Sequence, residues 1–123
     1  MHPDEITSIL RLKPVRCWKR GDKKRTPAGT SLEGVYPGSY WYCDLEHGEE
    51  MELSEFLGSI VSKLKLHRAF FKTIRSGGGA VEIYVGWFSP SNSGEVLDWK
   101  LLRNLANLRI DFALDIYVEN DKQ

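Results

Sequence analysis

Between Leu53 and Leu64 the apolar residues recur at three- and four-residue steps, at Leu53, Phe56, Leu57, Ile60, Val61 and Leu64. On a helix of about 3.6 residues per turn these side chains form one stripe. The spacing predicts an amphipathic helix over about residues 52–66 that must bury this stripe against another element. A different period closes the chain. From Arg109 to Tyr117 apolar and polar residues alternate, with Ile110, Phe112, Leu114 and Ile116 toward a core and the charges away from it. That is the period of a half-buried strand. A chain carrying both periods has to pack helix on sheet.

The remaining elements follow from local chemistry. Pro3 suits a first helical position, and Asp4 and Glu5 favour the positive end of a helix dipole. Ile6, Ile9 and Leu10 share a face and Pro14 ends the run, so a short helix is expected over about residues 3–11. Val15 to Lys19 reads as a strand and Gly21 to Leu32 as a long loop. Pro37-Gly38 reads as a turn, and Tyr40 to Cys43 as a strand of strong β character. Residues 44–50 read as an acidic loop. Ala69 to Arg75 and Ala80 to Phe88 are β-favouring stretches flanking Gly77-Gly78-Gly79, which predicts a hairpin with Val81, Ile83, Val85 and Trp87 on one face. After a loop over Ser89 to Gly94, Asp98 caps a third helix carrying Trp99, Leu102, Leu105 and Ala106. Asn107 ends it in the left-handed conformation. The expected fold is a single α+β domain over residues 1–123, a mostly antiparallel sheet with helices packed on one face in a ferredoxin-like-type arrangement.

Length bears on this only as a bound. A chain of 123 residues buries enough surface to stand without disulfides or metal. No apolar run approaches the roughly 20 residues that span a bilayer, and no leader pattern opens the chain. The expected location is the cytoplasm, with no membrane partner. Cys17 and Cys43 form no Cys-x-x-Cys pair, and the reading for both is a buried, reduced thiol acting as a small hydrophobe.

Several blocks together resemble one family. His2-Pro3-Asp4-Glu5-Ile6-Thr7, then Leu10, Leu12 and Pro14, then Trp18-Lys19-Arg20-Gly21-Asp22, are similar to the opening of the bacterial domain-of-unknown-function family numbered 4279. Tyr40-Trp41-Tyr42 stands at that family's central tryptophan strand. Leu105-Ala106-Asn107-Leu108 with Asp111, Asp115, Ile116 and Tyr117 matches its closing helix and strand. The resemblance covers nearly the whole chain and implies no activity. It departs at Asn107, where the family usually has Gly, and at the start, where family members usually carry a short strand that this chain lacks. Either the sheet does without that strand, or a partner supplies it, or the natural start lies upstream. The expectation drawn from this is completion by a second copy or by a partner's extended segment.

Charge carries the strongest functional signal. Lys plus Arg and Asp plus Glu balance at 17 each, yet residues 11–25 hold Arg11, Lys13, Arg16, Lys19, Arg20, Lys23, Lys24 and Arg25 against Asp22 alone. Residues 44–55 hold Asp44, Glu46, Glu49, Glu50, Glu52 and Glu55 with no Lys or Arg. The basic run with Trp18 inside it can grip phosphates and stack a base, or solvate a loop that faces the acidic segment. The two segments can also serve protein recognition, an immunity protein against a basic nuclease using the acidic one. Other constellations point elsewhere than chemistry. Gly77-Gly78-Gly79 precedes a strand and lacks the helix start and Lys-Ser/Thr pair of a phosphate loop. Asp111 and Asp115 share a strand face but sit ~13 Å apart, too far to share a metal or divide acid and base roles. His2, His47 and His67 make no ligand spacing, and no nucleophile signature marks a Ser, Thr or Cys.

The reading is therefore a module that binds another protein or a second copy of itself, with no cofactor, no metal and no catalytic residue. Candidate partner-binding residues are Trp18, Lys19, Arg20, Lys23, Lys24 and Arg25. A nucleic-acid-binding module using the same segment is the alternative, and an enzyme of unknown reaction the third. Trp18, Trp41 and Trp87 are placed in or near the core as structural residues.

Overall fold

His2 starts the first helix in an unforeseen way: its imidazole Nδ1 accepts the Asp4 amide at 3.1 Å, an N-cap by a residue type seldom used for it. A computed structural model describes residues 1–46, 51–89 and 93–118 of the chain. It divides them into two compact units, Met1–Glu46 and His47–Gln123.

In the first unit, α1 (Pro3–Leu10) has Pro3 at its start and ends on Arg11, which is left-handed with φ 55°. Strands β1 (Arg16–Trp18) and β4 (Tyr40–Tyr42) pair antiparallel, Cys17 opposite Trp41. The Trp41 indole donates to the Thr7 hydroxyl at 3.0 Å and so ties β4 to α1. The long loop expected over residues 21–32 is instead mostly a hairpin, β2 (Lys23–Arg25) and β3 (Ser31–Val35). Its turn is closed by Thr26 N–H to Thr30 O at 2.8 Å and by the Thr26 hydroxyl accepting the Thr30 amide at 3.0 Å. Periodicity missed this pair because the strands are short, interrupted by an irregular register, and carry almost no buried side chain.

The second unit holds the aliphatic core. Helix α2 (Leu53–Leu64) buries Leu57, Ile60 and Val61, with Leu53, Phe56 and Leu64 half-buried beside them, so the predicted stripe is the real one. Its first two amides, at Leu53 and Ser54, donate to the two carboxylate oxygens of Glu95, the first at 3.1 Å. A carboxylate from another part of the chain thus caps the helix, where its own Glu52 does not. After a 3₁₀ turn over Lys65–His67, α3 (Arg68–Ser76) occupies the stretch expected to be the first strand of a hairpin.

At helical spacing Phe71 is buried and Ile74 half-buried, while the part-exposed Arg75 reaches Asp111 and the Arg109 carbonyl. The glycines are the end of this helix. Gly79 N–H bonds Ile74 O at 2.9 Å, Gly78 N–H bonds Arg75 O at 3.1 Å, and Gly78 is left-handed at φ 88°, which together make a Schellman closure. A Cβ on Gly79 would stand 2.8 Å from the Ile74 methyl and 3.1 Å from its carbonyl, so the chain needs glycine to turn there. A short apolar run such as Ala69–Arg75 fits either period, and its continuation from α2 decided the matter.

Strand β5 (Val81–Ser89) runs parallel to β6 (Ile110–Val118) in unbroken register, Val81 beside Ile110 through Ser89 beside Val118. Helix α4 (Trp99–Asn107) makes the crossover between them. Asp98 caps α4 as expected, accepting the Leu101 amide at 2.9 Å. Its buried face is Leu101, Leu105 and Leu108, while Trp99 is 63% exposed and Leu102 also faces solvent. Asn107 remains helical; the left-handed residue is Arg109, at φ 60°. The Arg109 side chain reaches back toward the Ala106 and Asn107 carbonyls at 3.5 and 3.4 Å, as cations do at helix C-termini.

The fold is α+β. Two of its three strand pairs are antiparallel and the longest is parallel, and the described strands form separate two-stranded sheets. Within the second unit α4 packs on β6 and α3 on β5, on the face bearing Val81, Ile83, Ile110 and Phe112. Along β6 the predicted alternation holds at its start and fades toward its end, where Leu114 and Ile116 are exposed.

Candidate functional site

The basic segment of the first unit is organised around an aromatic stack. Trp18 lies 4.1 Å from Tyr36 with planes 10° apart, and 4.7 Å from Tyr40 at 27°. The Arg16 guanidinium sits over the same indole at 5.0 Å. Arg16 also donates through Nη2 to the Arg25 carbonyl and, at 3.2 Å, to the Tyr36 hydroxyl. The Tyr36 hydroxyl in turn accepts the Arg25 amide at 3.2 Å and donates to the Arg25 carbonyl at 3.0 Å. Arg16, Trp18, Arg25 and Tyr36 thereby lock β1 to the β2–β3 hairpin.

Beside the stack opens a shallow cleft of about 300 Å³, lined by Trp18, Asp22, Lys23, Arg25 and Tyr36. Asp22 accepts the Lys19 amide at 2.9 Å and its own amide bonds the Lys19 carbonyl at 3.0 Å, so the tight turn from Lys19 to Asp22 is self-closed. The Arg20 amide is fixed by the Ser39 hydroxyl at 3.0 Å.

Of the six residues singled out by sequence, the structure brings Trp18, Lys23 and Arg25 to this cleft. Lys19 and Arg20 stand exposed on the preceding turn, and Lys24 points to the other side of β2, half-buried. Among the described residues no carboxylate forms a salt bridge with any of the five cations. Tyr36 and Arg16 were not recognised as parts of the site. Nothing in the local sequence marks Tyr36, which enters through a strand pairing that sequence did not suggest. Of the acidic segment, Asp44, Glu46, Glu52 and Glu55 are exposed, whereas His47, Glu49 and Glu50 lie outside the described residues.

The other candidates resolve locally. Trp41 and Trp87 are half-buried, the latter donating its indole N–H to Ser93 at 3.2 Å. Cys17 is exposed, which corrects the expectation that both thiols are buried. It lies opposite Trp41 in the three-residue β1, and although Trp41 is half-buried and bonded to α1, the Cys17 side chain stays open to solvent. Cys43 is half-buried, and that burial followed by the charge of Asp44 pushes its thiol pKa up. Both cysteines are free. Asp111 is bridged by Arg75 at 3.2 Å, and Asp115 accepts the Tyr84 hydroxyl at 2.5 Å, so each carboxylate is partnered by a different side chain and not by the other. Among the described residues no group of three His, Cys, Asp or Glu is placed to hold a metal, and no helix is long and apolar enough to cross a membrane.

The sequence model of a domain-of-unknown-function family, DUF4279, matches residues 1–119 and so runs across both units. The chain belongs to this family. No curated protein and no solved structure matches it.

Proposed function

We propose that this member of DUF4279 is a protein-binding module of the bacterial cytoplasm, and that it docks an acidic segment of its partner on the basic surface of its first unit. The observation that carries the reading is the presentation of Lys23 and Arg25 on the exposed side of β2, over a cleft walled by the stacked Trp18–Tyr36 pair. Side chains already placed by stacking and hydrogen bonds lower the ordering cost of binding, and unpaired cations at a rim steer an anionic partner. Nucleic acid is the second reading, supported by the same cations. It is weakened at Trp18, whose indole is already shared by Tyr36, Tyr40 and the Arg16 guanidinium, leaving little π surface on which a base could stack.

An affinity pull-down from lysate of the source cell, with and without nuclease, tests this. The wild-type protein and the triple reversal Lys23→Glu, Lys24→Glu and Arg25→Glu would be compared. The expected result is a stoichiometric acidic protein that survives nuclease and is lost from the reversal variant. Nucleic acid that elutes steeply with salt and disappears with the same substitutions would overturn the protein reading in favour of the second.

A further inference from the structure

The second unit carries a surface of opposite character. On the side of the β5–β6 pair away from the helices lie Glu82, Tyr84, Gly86 and Phe88, in register with Asp111, Ala113, Asp115 and Tyr117. Three aromatic rings stand open to solvent there, Tyr84 at 57%, Phe88 at 77% and Tyr117 at 44% exposure. They are ordered with respect to one another. Phe88 and Tyr117 stack with centroids 4.6 Å apart and planes 11° from parallel. The Tyr84 hydroxyl donates to Asp115 at 2.5 Å and lies 3.2 Å from the Tyr117 hydroxyl. The stacked rings lean over Gly86, where a Cβ would meet Phe88 and Tyr117 in ordinary van der Waals contact at 3.4 and 3.5 Å.

The charges on this face are all carboxylates, and Arg75 from α3 neutralises Asp111 alone. Hydrogen bonds from Tyr84 first and Tyr117 second hold the Asp115 carboxyl below the usual range, so its charge is fixed at the centre of the aromatic group. Exposed aromatic faces next to an ionised carboxylate select cations. Because Phe88 and Tyr117 stack on each other and are exposed, each offers its outer face, which suits a planar cation that stacks with one face and hydrogen-bonds through its edge. A guanidinium has that shape; an ammonium does not.

We propose that the Tyr84–Phe88–Asp115–Tyr117 face is a docking site for an arginine side chain presented by a partner protein, its guanidinium stacked on the Phe88–Tyr117 pair and its edge donating to Asp115.

The test is an aromatic-resonance NMR titration of the full chain with a capped Gly-Arg-Gly-Arg-Gly peptide, its citrulline isostere and its lysine counterpart. The arginine peptide is expected to shift the ring signals of Tyr84, Phe88 and Tyr117, and the lysine peptide to bind several-fold more weakly. The citrulline peptide, equal in shape but uncharged, should not bind. Asp115→Asn should lower arginine-peptide affinity about tenfold. Phe88→Leu, which keeps apolar bulk but removes the π face, should lower it a few-fold, with amide spectra elsewhere unchanged. Equal binding of the citrulline peptide, shifts confined to other residues, or no shift at all would each overturn the proposal. So would self-association of the wild-type chain that Phe88→Leu abolishes, since the face would then belong to a second copy.

Discussion

The first unit, Met1–Glu46, has a single buried residue, Pro3, while the second hides Leu57, Ile60, Val61, Phe71, Leu101, Leu105, Leu108 and Ile110. The second unit follows the usual route to stability, an aliphatic core removed from water between helices and a sheet. The first is assembled from short strands, a tryptophan stacked on two tyrosines, and an arginine that bonds a carbonyl and a hydroxyl. Its side chains therefore stay largely exposed. The comparison teaches that this chain places its densest run of cations where a hydrophobic core contributes least, with directional contacts holding the geometry instead.

The sharpest way to break that contrast is in the core. Leu57→Ala removes a side chain with no solvent exposure and should cost about 2–5 kcal/mol, read as a lowered denaturation midpoint. A cost near zero would mean that the second unit is not held by its aliphatic core. Next comes Gly79→Ala, where the added methyl meets the Ile74 methyl at 2.8 Å. A destabilisation of about 1–3 kcal/mol is expected by the same measurement. Tyr36→Phe probes the other mode of construction. It deletes the hydroxyl that bonds Arg16 and Arg25, and should cost about 1 kcal/mol, with amide exchange accelerated in β2 and β3 but not in α2. Acceleration throughout the chain would show that the two units open together.

Two smaller effects sharpen the picture. Cys17 should react with a thiol reagent well before Cys43, whose thiolate is disfavoured by burial and by Asp44. Reversed order, seen by mass spectrometry of singly labelled protein, would contradict the exposed position of β1. On the open face of the second unit, the Tyr84 hydroxyl donates its one proton to Asp115 and lies 3.2 Å from the Tyr117 hydroxyl, and these hydrogen bonds, Asp115 first, push its pKa well above the usual phenol value. The stabilisation is complete below the ordinary tyrosine pKa of about 10 and is lost as pH rises through the higher folded value, because the unfolded chain releases this proton first. A near-ultraviolet absorbance titration should show a tyrosine ionising late, and Asp115→Asn should bring it back.

Much of the second unit was legible. The stripe at Leu53–Leu64, the Asp98 cap and the closing strand each express a local rule at full length. Ala69–Arg75 failed because seven residues with apolar pairs fit two periods, and because three glycines end a helix as well as they turn a hairpin. The face of α4 was misjudged by one position. Trp99 outranks Leu101 in hydrophobic size, yet the geometry of the crossover turns Leu101, Leu105 and Leu108 inward. For the site, sequence located the charge, Arg16 within it, and Trp18, while Tyr36 and the contacts that Arg16 makes with it stayed invisible because they join partners distant along the chain.

By itself the sequence determined the α+β class, the helix stripe at Leu53–Leu64, the strand at its end and the segregation of cations into residues 11–25, since periodicity and composition are properties of neighbours. Only the tertiary structure decided that Glu95 caps α2, that β5 and β6 lie parallel, that Tyr36 closes the cleft, and that Tyr84, Phe88 and Tyr117 share an open face with Asp115. The physical reason is common to all four. Each depends on which strand or loop comes to lie beside which, and that is settled by burying the aliphatic core and satisfying backbone donors, not by any rule that spans a few residues.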